Sequence, residues 1–143
     1  MNHYKIVLDI FMILWLFLCS LQDIKKKQIS LKLILVGFVT LIIGSSFIYD
    51  ISIWNRIAGL SLGFILIILN PITKGQIGIG DGLIVCCIGL CVGFLGNAMI
   101  LITSLFISAA VSLYLLVVKR VKRNYTIPFI PFILIGYLGV IFI

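Results

Sequence analysis

Long apolar blocks, separated by short polar punctuation, set the pattern of this chain. A helix needs about 20 apolar residues to span the hydrocarbon of a bilayer, and hydropathy with its breaks predicts six such segments. The first covers about 4–22 and ends at Asp23-Ile24-Lys25-Lys26-Lys27. The second, about 31–49, stops at Tyr49-Asp50, and the third, about 53–70, at Asn70-Pro71, where proline is a natural helix terminator. A fourth starts near Ile79 and turns at Gly96-Asn97; a fifth, about 98–118, runs into a basic cluster at 119–123. The last covers about 127–143. The fold expected is an all-α polytopic membrane protein of about six transmembrane helices, one domain over 1–143 with no separate soluble part.

Composition supports the membrane reading. The sequence has 143 residues, 63% of them hydrophobic, with a mean hydropathy of +1.35. A soluble domain of this size has too much surface to hide that much apolar side chain. The first block lacks a basic leader and a small-residue cleavage site, so a removable signal peptide is not expected.

Charge then gives an orientation. The net charge is +7, but the cations stand at the ends of apolar blocks and form no stripe interleaved with aromatics, which argues against nucleic acid as a partner. If the segment after the first block is cytoplasmic, Lys25, Lys26, Lys27, Lys32, Lys74, Lys119, Arg120, Lys122 and Arg123 share that side. Only Lys5 and Arg56, of 11 basic residues, fall outside it. That is the positive-inside asymmetry, and it predicts both termini outside a cytoplasmic (inner) membrane. Lys25–Lys27 reads as a topology anchor, with substrate or anionic-lipid contact as the alternative.

Little metal or nucleophile chemistry is available. Cys19, Cys86, Cys87 and Cys91 form no CxxC, and His3 is the single histidine. A four-ligand zinc site or a Ser–His or Cys–His nucleophile is therefore not expected, and no cofactor is called for. The cysteines read as small packing residues.

The acids carry more information. There is no glutamate, and the four aspartates are Asp9, Asp23, Asp50 and Asp81. Asp50 belongs to a loop, and Asp9 reads as structural, capping, snorkelling or pairing with Lys5. Asp23 and Asp81 lie far apart in sequence but at the same predicted depth and side. Ionisable groups at the hydrocarbon boundary are costly and mark function. Two neighbouring carboxyls share a proton, one member acting as base toward water and the other as acid toward a carbonyl. Gly78 and Gly80 remove side chains before Asp81, giving substrate or a neighbouring helix close access. Asp23 ends its helix and Asp81 begins one, so the helix termini favour a protonated Asp23 and a basic Asp81. The 70–80 segment, rich in glycine and proline, suggests a gate.

These residues resemble the type IV prepilin peptidases, intramembrane aspartyl proteases. Gly78-Ile79-Gly80-Asp81 resembles their GxGD motif. Asp23-Ile24-Lys25-Lys26-Lys27-Gln28-Ile29-Ser30 resembles their first motif, an aspartate followed by a basic stretch and an Ile-Pro pair. Thr126-Ile127-Pro128-Phe129-Ile130-Pro131-Phe132 is similar to the stretch opening their last span. The resemblance implies Asp23 and Asp81 as the catalytic pair, a pilin-like precursor as substrate, and cleavage of its leader at the cytoplasmic face. The chain is similar to short members with the protease core alone, without the zinc-binding insertion that accompanies N-methylation in longer ones. It departs from the family pattern at Ser30 and Leu31, usually proline and asparagine, at Leu83, commonly lysine, and at Ile130, usually glycine. Two rivals remain at this stage: a small ion-coupled transporter or channel subunit using paired aspartates, and a non-catalytic relative that binds pilin-like helices.

Overall fold

The computed structural model describes residues 3–48, 50–75, 77–120 and 127–142. Five helices hold most of them: α1 (His3–Lys26), α2 (Leu31–Ile48), α3 (Ile53–Ile72), α4 (Ile79–Val117) and α5 (Ile130–Phe142). No strand occurs among the described residues. The all-α membrane architecture holds, but the expected six spans do not. By length and composition, α1, α3 and α4 can cross a membrane; the apolar Leu31–Ser46 stretch of α2 and the 13-residue α5 are shorter.

The expected fourth and fifth segments form one helical element broken at Gly93. That residue has φ 76° and ψ −175°, a conformation open essentially to glycine alone. Asn97 Nδ2 donates to the Val85 carbonyl at 3.1 Å. A straight helix would separate these residues by about 18 Å, so the chain doubles back at Gly93 without a loop. The turn expected at Gly96-Asn97 is thus displaced, and Asn97 is a buried pin that also donates to the Gly59 carbonyl at 2.9 Å.

Polar side chains close the two exposed helix ends at this reversal. Asn55 Oδ1 accepts the Phe94 amide at 2.9 Å. Arg56 donates to the Leu90 carbonyl at 2.9 Å, and to Ser45 Oγ and the Ser45 carbonyl on α2 at 2.8 and 2.9 Å. Arg56, a cation on the wrong side for the charge rule, is therefore a structural clasp. Asp9, at the same end, accepts a hydrogen bond from the Tyr137 hydroxyl at 3.1 Å.

Helices α1, α2, α4 and α5 form a ring, each packed on its neighbours, and α3 lies against α4. Among the described residues no Cα of α1 comes within 8 Å of one of α4, so the two face each other across the interior. Met12, Leu16, Leu41, Ile84, Ile88 and Ile133 fill that interior, together with Cys19, Cys87 and Cys91. All four cysteines are buried and free. The Trp15 indole donates to the Leu33 carbonyl at 2.9 Å and lies over Gly37, fixing α1 to α2. The outer faces are apolar, with Leu14, Leu18, Val39, Phe64, Ile68 and Phe106 exposed, as lipid contact requires.

Candidate functional site

Three helices deliver the opposite end of the ring to one place. Helix α1 ends with Lys27 at φ 50°, its amide bonded to the Asp23 carbonyl at 2.9 Å. This is the left-handed stop that glycine usually supplies. Helix α3 runs through Pro71 to Ile72 rather than stopping at Asn70, and closes with Gly75 N–H on Asn70 O and Lys74 N–H on Pro71 O. Lys74 has φ 54° there. Asn70 Nδ2 also donates to the Ile77 carbonyl, so the segment expected to be a gate is tied across its base. Cations at helix C-termini offset the negative end of each dipole, and they crowd Lys25, Lys26, Lys27, Lys74 and Arg120 toward this end. Lys122, Arg123 and Thr126 lie outside the described residues.

A cavity of about 450 Å³ opens here, lined by both Asp23 and Asp81. Its walls are Ile29 before α2 and Leu31 and Ile34 at its start, Gly75, Gly78–Asp81 and Leu83 before and along α4, and Ile127–Phe129 before α5; Lys27 and Gln28 complete it. The sequence expected two distant carboxylates at one depth, and the structure brings them to one cavity from helices on opposite sides of the ring.

The two glycines have different tasks. Gly78 is the extended residue before α4, with φ −68° and ψ 134°, giving the non-helical entry expected from the sequence. A Cβ there would stand 3.1 Å from Asp81 Oδ2. At Gly80 a Cβ would come within 2.7 Å of Ile29 Cδ1. Gly80 therefore seats the start of α2 against α4, and Gly78 leaves room for the Asp81 carboxylate.

Asp23 is held in a way the sequence reading missed. Its Oδ2 accepts the Ile130 amide at 3.1 Å in a buried setting. Ile130 opens α5, where the first amides lack intrahelical partners. Pro131 has no amide, and the Phe132 amide turns back to the Phe129 carbonyl at 3.0 Å, so within that first turn the Ile130 amide goes to Asp23. The signal was present: a proline just inside a helix start singles out the amide before it. The helix-end argument for a protonated Asp23 did not include this bond, which the start of α5 gives to a side chain at the end of α1.

The departures also find places. Ser30 stands at the N-cap of α2, its carbonyl accepting the Leu33 and Ile34 amides, a position that suits serine. The Ile130 side chain is fully buried in the core. Leu83 lines the cavity, so its wall there is apolar. Among the described residues no group of three His, Cys, Asp or Glu side chains could hold a metal ion.

The family model described as the type IV leader peptidase family matches residues 10–113. That stretch contains Asp23 and the 78–81 motif; the 127–132 stretch lies beyond it. No curated protein and no solved structure matches the chain.

Proposed function

From the chain's membership of the type IV leader peptidase family, we propose that it is an intramembrane aspartic endopeptidase. It removes the N-terminal leader of a pilin-like precursor at the cytoplasmic face of the inner membrane. Asp23 and Asp81 are the proposed catalytic pair, with Gly78 and Gly80 as backbone support. The observation that carries the reading is one cavity lined by both acids, which come from distant stretches of the chain.

Hydrolysis needs one carboxylate to take a proton from water as its oxygen attacks the amide carbon. The second carboxyl protonates the carbonyl oxygen, giving a neutral diol. Collapse of the diol breaks the C–N bond while one proton passes to the nitrogen and another returns to the second carboxyl. The net change is one water added across one amide. Apolar walls around the pair exclude bulk water and strengthen every charge interaction within. Location at the membrane boundary suits a substrate with an apolar helix in the bilayer and a polar leader outside it.

The test is cleavage of candidate pilin-like precursors in membranes carrying wild type, Asp23→Asn or Asp81→Asn. Either substitution should lower cleavage by roughly 10²–10⁴-fold, the usual worth of a general acid or base, with expression unchanged. Full cleavage by both variants would overturn the assignment. Binding without cleavage by the wild type would favour a non-catalytic role instead.

A further inference from the structure

We propose that the outer groove between α1 and α2 binds one anionic phospholipid, its phosphate held by Lys25 and Lys26 and its acyl chain by Leu18, Leu21 and Leu33. The groove shares no lining residue with the cavity of the two acids, and the inference does not depend on the protease reading.

Helix α1 has two different faces. Met12, Leu16, Cys19 and Asp23 recur at helical spacing on its buried side. Leu18, Leu21, Gln22 and Lys25, at i, i+3, i+4 and i+7, make up the opposite side, where Leu18 and Leu21 are 51% and 38% exposed. With Lys26, and with Leu33 from α2, they line a groove of about 210 Å³. The Trp15 indole bonded to the Leu33 carbonyl joins the two helices there, so both walls belong to one packed unit. From Leu18 to Lys25 the groove runs about 10 Å along the helix, apolar at first and cationic at the helix end. A phospholipid has its parts in the same order, a chain in the hydrocarbon and a phosphate at the boundary. Lysines at a helix end extend their ammonium groups to that boundary.

Charge selects the lipid. No acid lines the groove; Asp23, the acid of this stretch, is buried with Oδ2 on the Ile130 amide. Two ammonium groups without a lining carboxylate favour a headgroup of net negative charge over a zwitterion, whose own ammonium they repel. Gln22 adds a neutral contact. Its Oε1 accepts the Ser30 amide at 3.1 Å, which leaves the side-chain NH₂ as the donor end. The volume suits a phosphate and part of an acyl chain, whereas a helix about 10–12 Å across could only lie over the rim.

Native mass spectrometry of the full chain in detergent tests this, with phosphatidylglycerol and phosphatidylcholine of the same chains as probes. One phosphatidylglycerol should be retained in preference to phosphatidylcholine. The double variant Lys25→Gln/Lys26→Gln should lower that retention about 10- to 30-fold, while Lys25→Arg/Lys26→Arg keeps it. Lys74→Gln, a cation outside the groove, should leave it unchanged. Leu21→Trp keeps both charges but fills the groove, and should also lower it. These side chains are exposed, so the unfolding midpoint should stay in place. Equal retention of the two lipids, an equal loss in Lys74→Gln, or no loss in Leu21→Trp would overturn the proposal. Inorganic phosphate at the lipid's concentration should not displace it; displacement would make this a bare phosphate site. Displacement by excess pilin-like precursor would give the groove to a protein and overturn the proposal as well.

Discussion

At the residue scale the site depends on atoms that are missing as much as on those present. Gly78 has an extended backbone that alanine adopts without strain, so Gly78→Ala should leave stability nearly unchanged. Its Cβ would nevertheless lie 3.1 Å from Asp81 Oδ2 and 3.4 Å from Cγ, and the carboxyl must shift by a few tenths of an ångström. Misplacing a catalytic group by 1 Å costs about 10²-fold, so this shift should lower kcat about 3- to 10-fold, measured beside an unchanged detergent unfolding midpoint. Asp23, Asp81 and the two glycines, which line one cavity, could be singled out because acids and glycines are conspicuous in an apolar chain. The Ile130 amide was not, because a backbone donor has no letter of its own and shows only through Pro131. Nor does a letter reveal that Lys27 adopts a left-handed backbone.

At the element scale most helices could be read from apolar blocks, while their ends and pairings depended on contacts the sequence does not print. Gly93 and Gly96 look equivalent in the sequence; the reversal falls at Gly93, where Asn55 and Arg56 satisfy the groups exposed, and Asn97 pins the returning half to the Val85 carbonyl. Pro71 failed as a stop because it occupies the last turn of α3, where the ending is made by Lys74 and Gly75. The α3–α4 seam is built from glycine on both sides. A Cβ at Gly59 would meet the Gly89 carbonyl oxygen at 2.3 Å, and one at Gly63 would meet the Cys86 amide nitrogen at 2.5 Å. Helices in lipid gain little from the hydrophobic effect and associate through such close backbone contact. Gly59→Val should therefore destabilise the fold by about 1–3 kcal/mol, seen as a lower unfolding midpoint in detergent. Cleavage per folded molecule should be retained, since Gly59 lies away from the cavity lining. An unchanged midpoint would show that α3 can part from α4 without loss.

At the scale of the whole molecule, Lys25–Lys27, Lys74 and the cavity occupy one end while the reversal at Gly93 and the Asn55–Arg56 clasp occupy the other. A membrane potential and translocation bias hold Lys- and Arg-rich ends inside, and this asymmetry would place the acids where a precursor's leader emerges from the bilayer. The orientation can be read chemically. All four native cysteines are buried, so an introduced exposed thiol should dominate labelling by a membrane-impermeant maleimide. Trp54, at the start of α3, is 77% exposed, and Trp54→Cys should label in intact cells from outside. Lys26→Cys, at the cavity end, should label only after the membrane is opened. The reverse pattern would invert the molecule and put its acids on the face away from the cytoplasm. In that case the precursor would have to present its leader after export, and the positive-inside asymmetry would lose its hold on this chain. Because Arg56 is committed to Ser45 and Leu90 as a clasp, substituting it should disturb the α2–α4 junction without reversing the labelling. That outcome would separate the charges that orient the molecule from the one that holds it together.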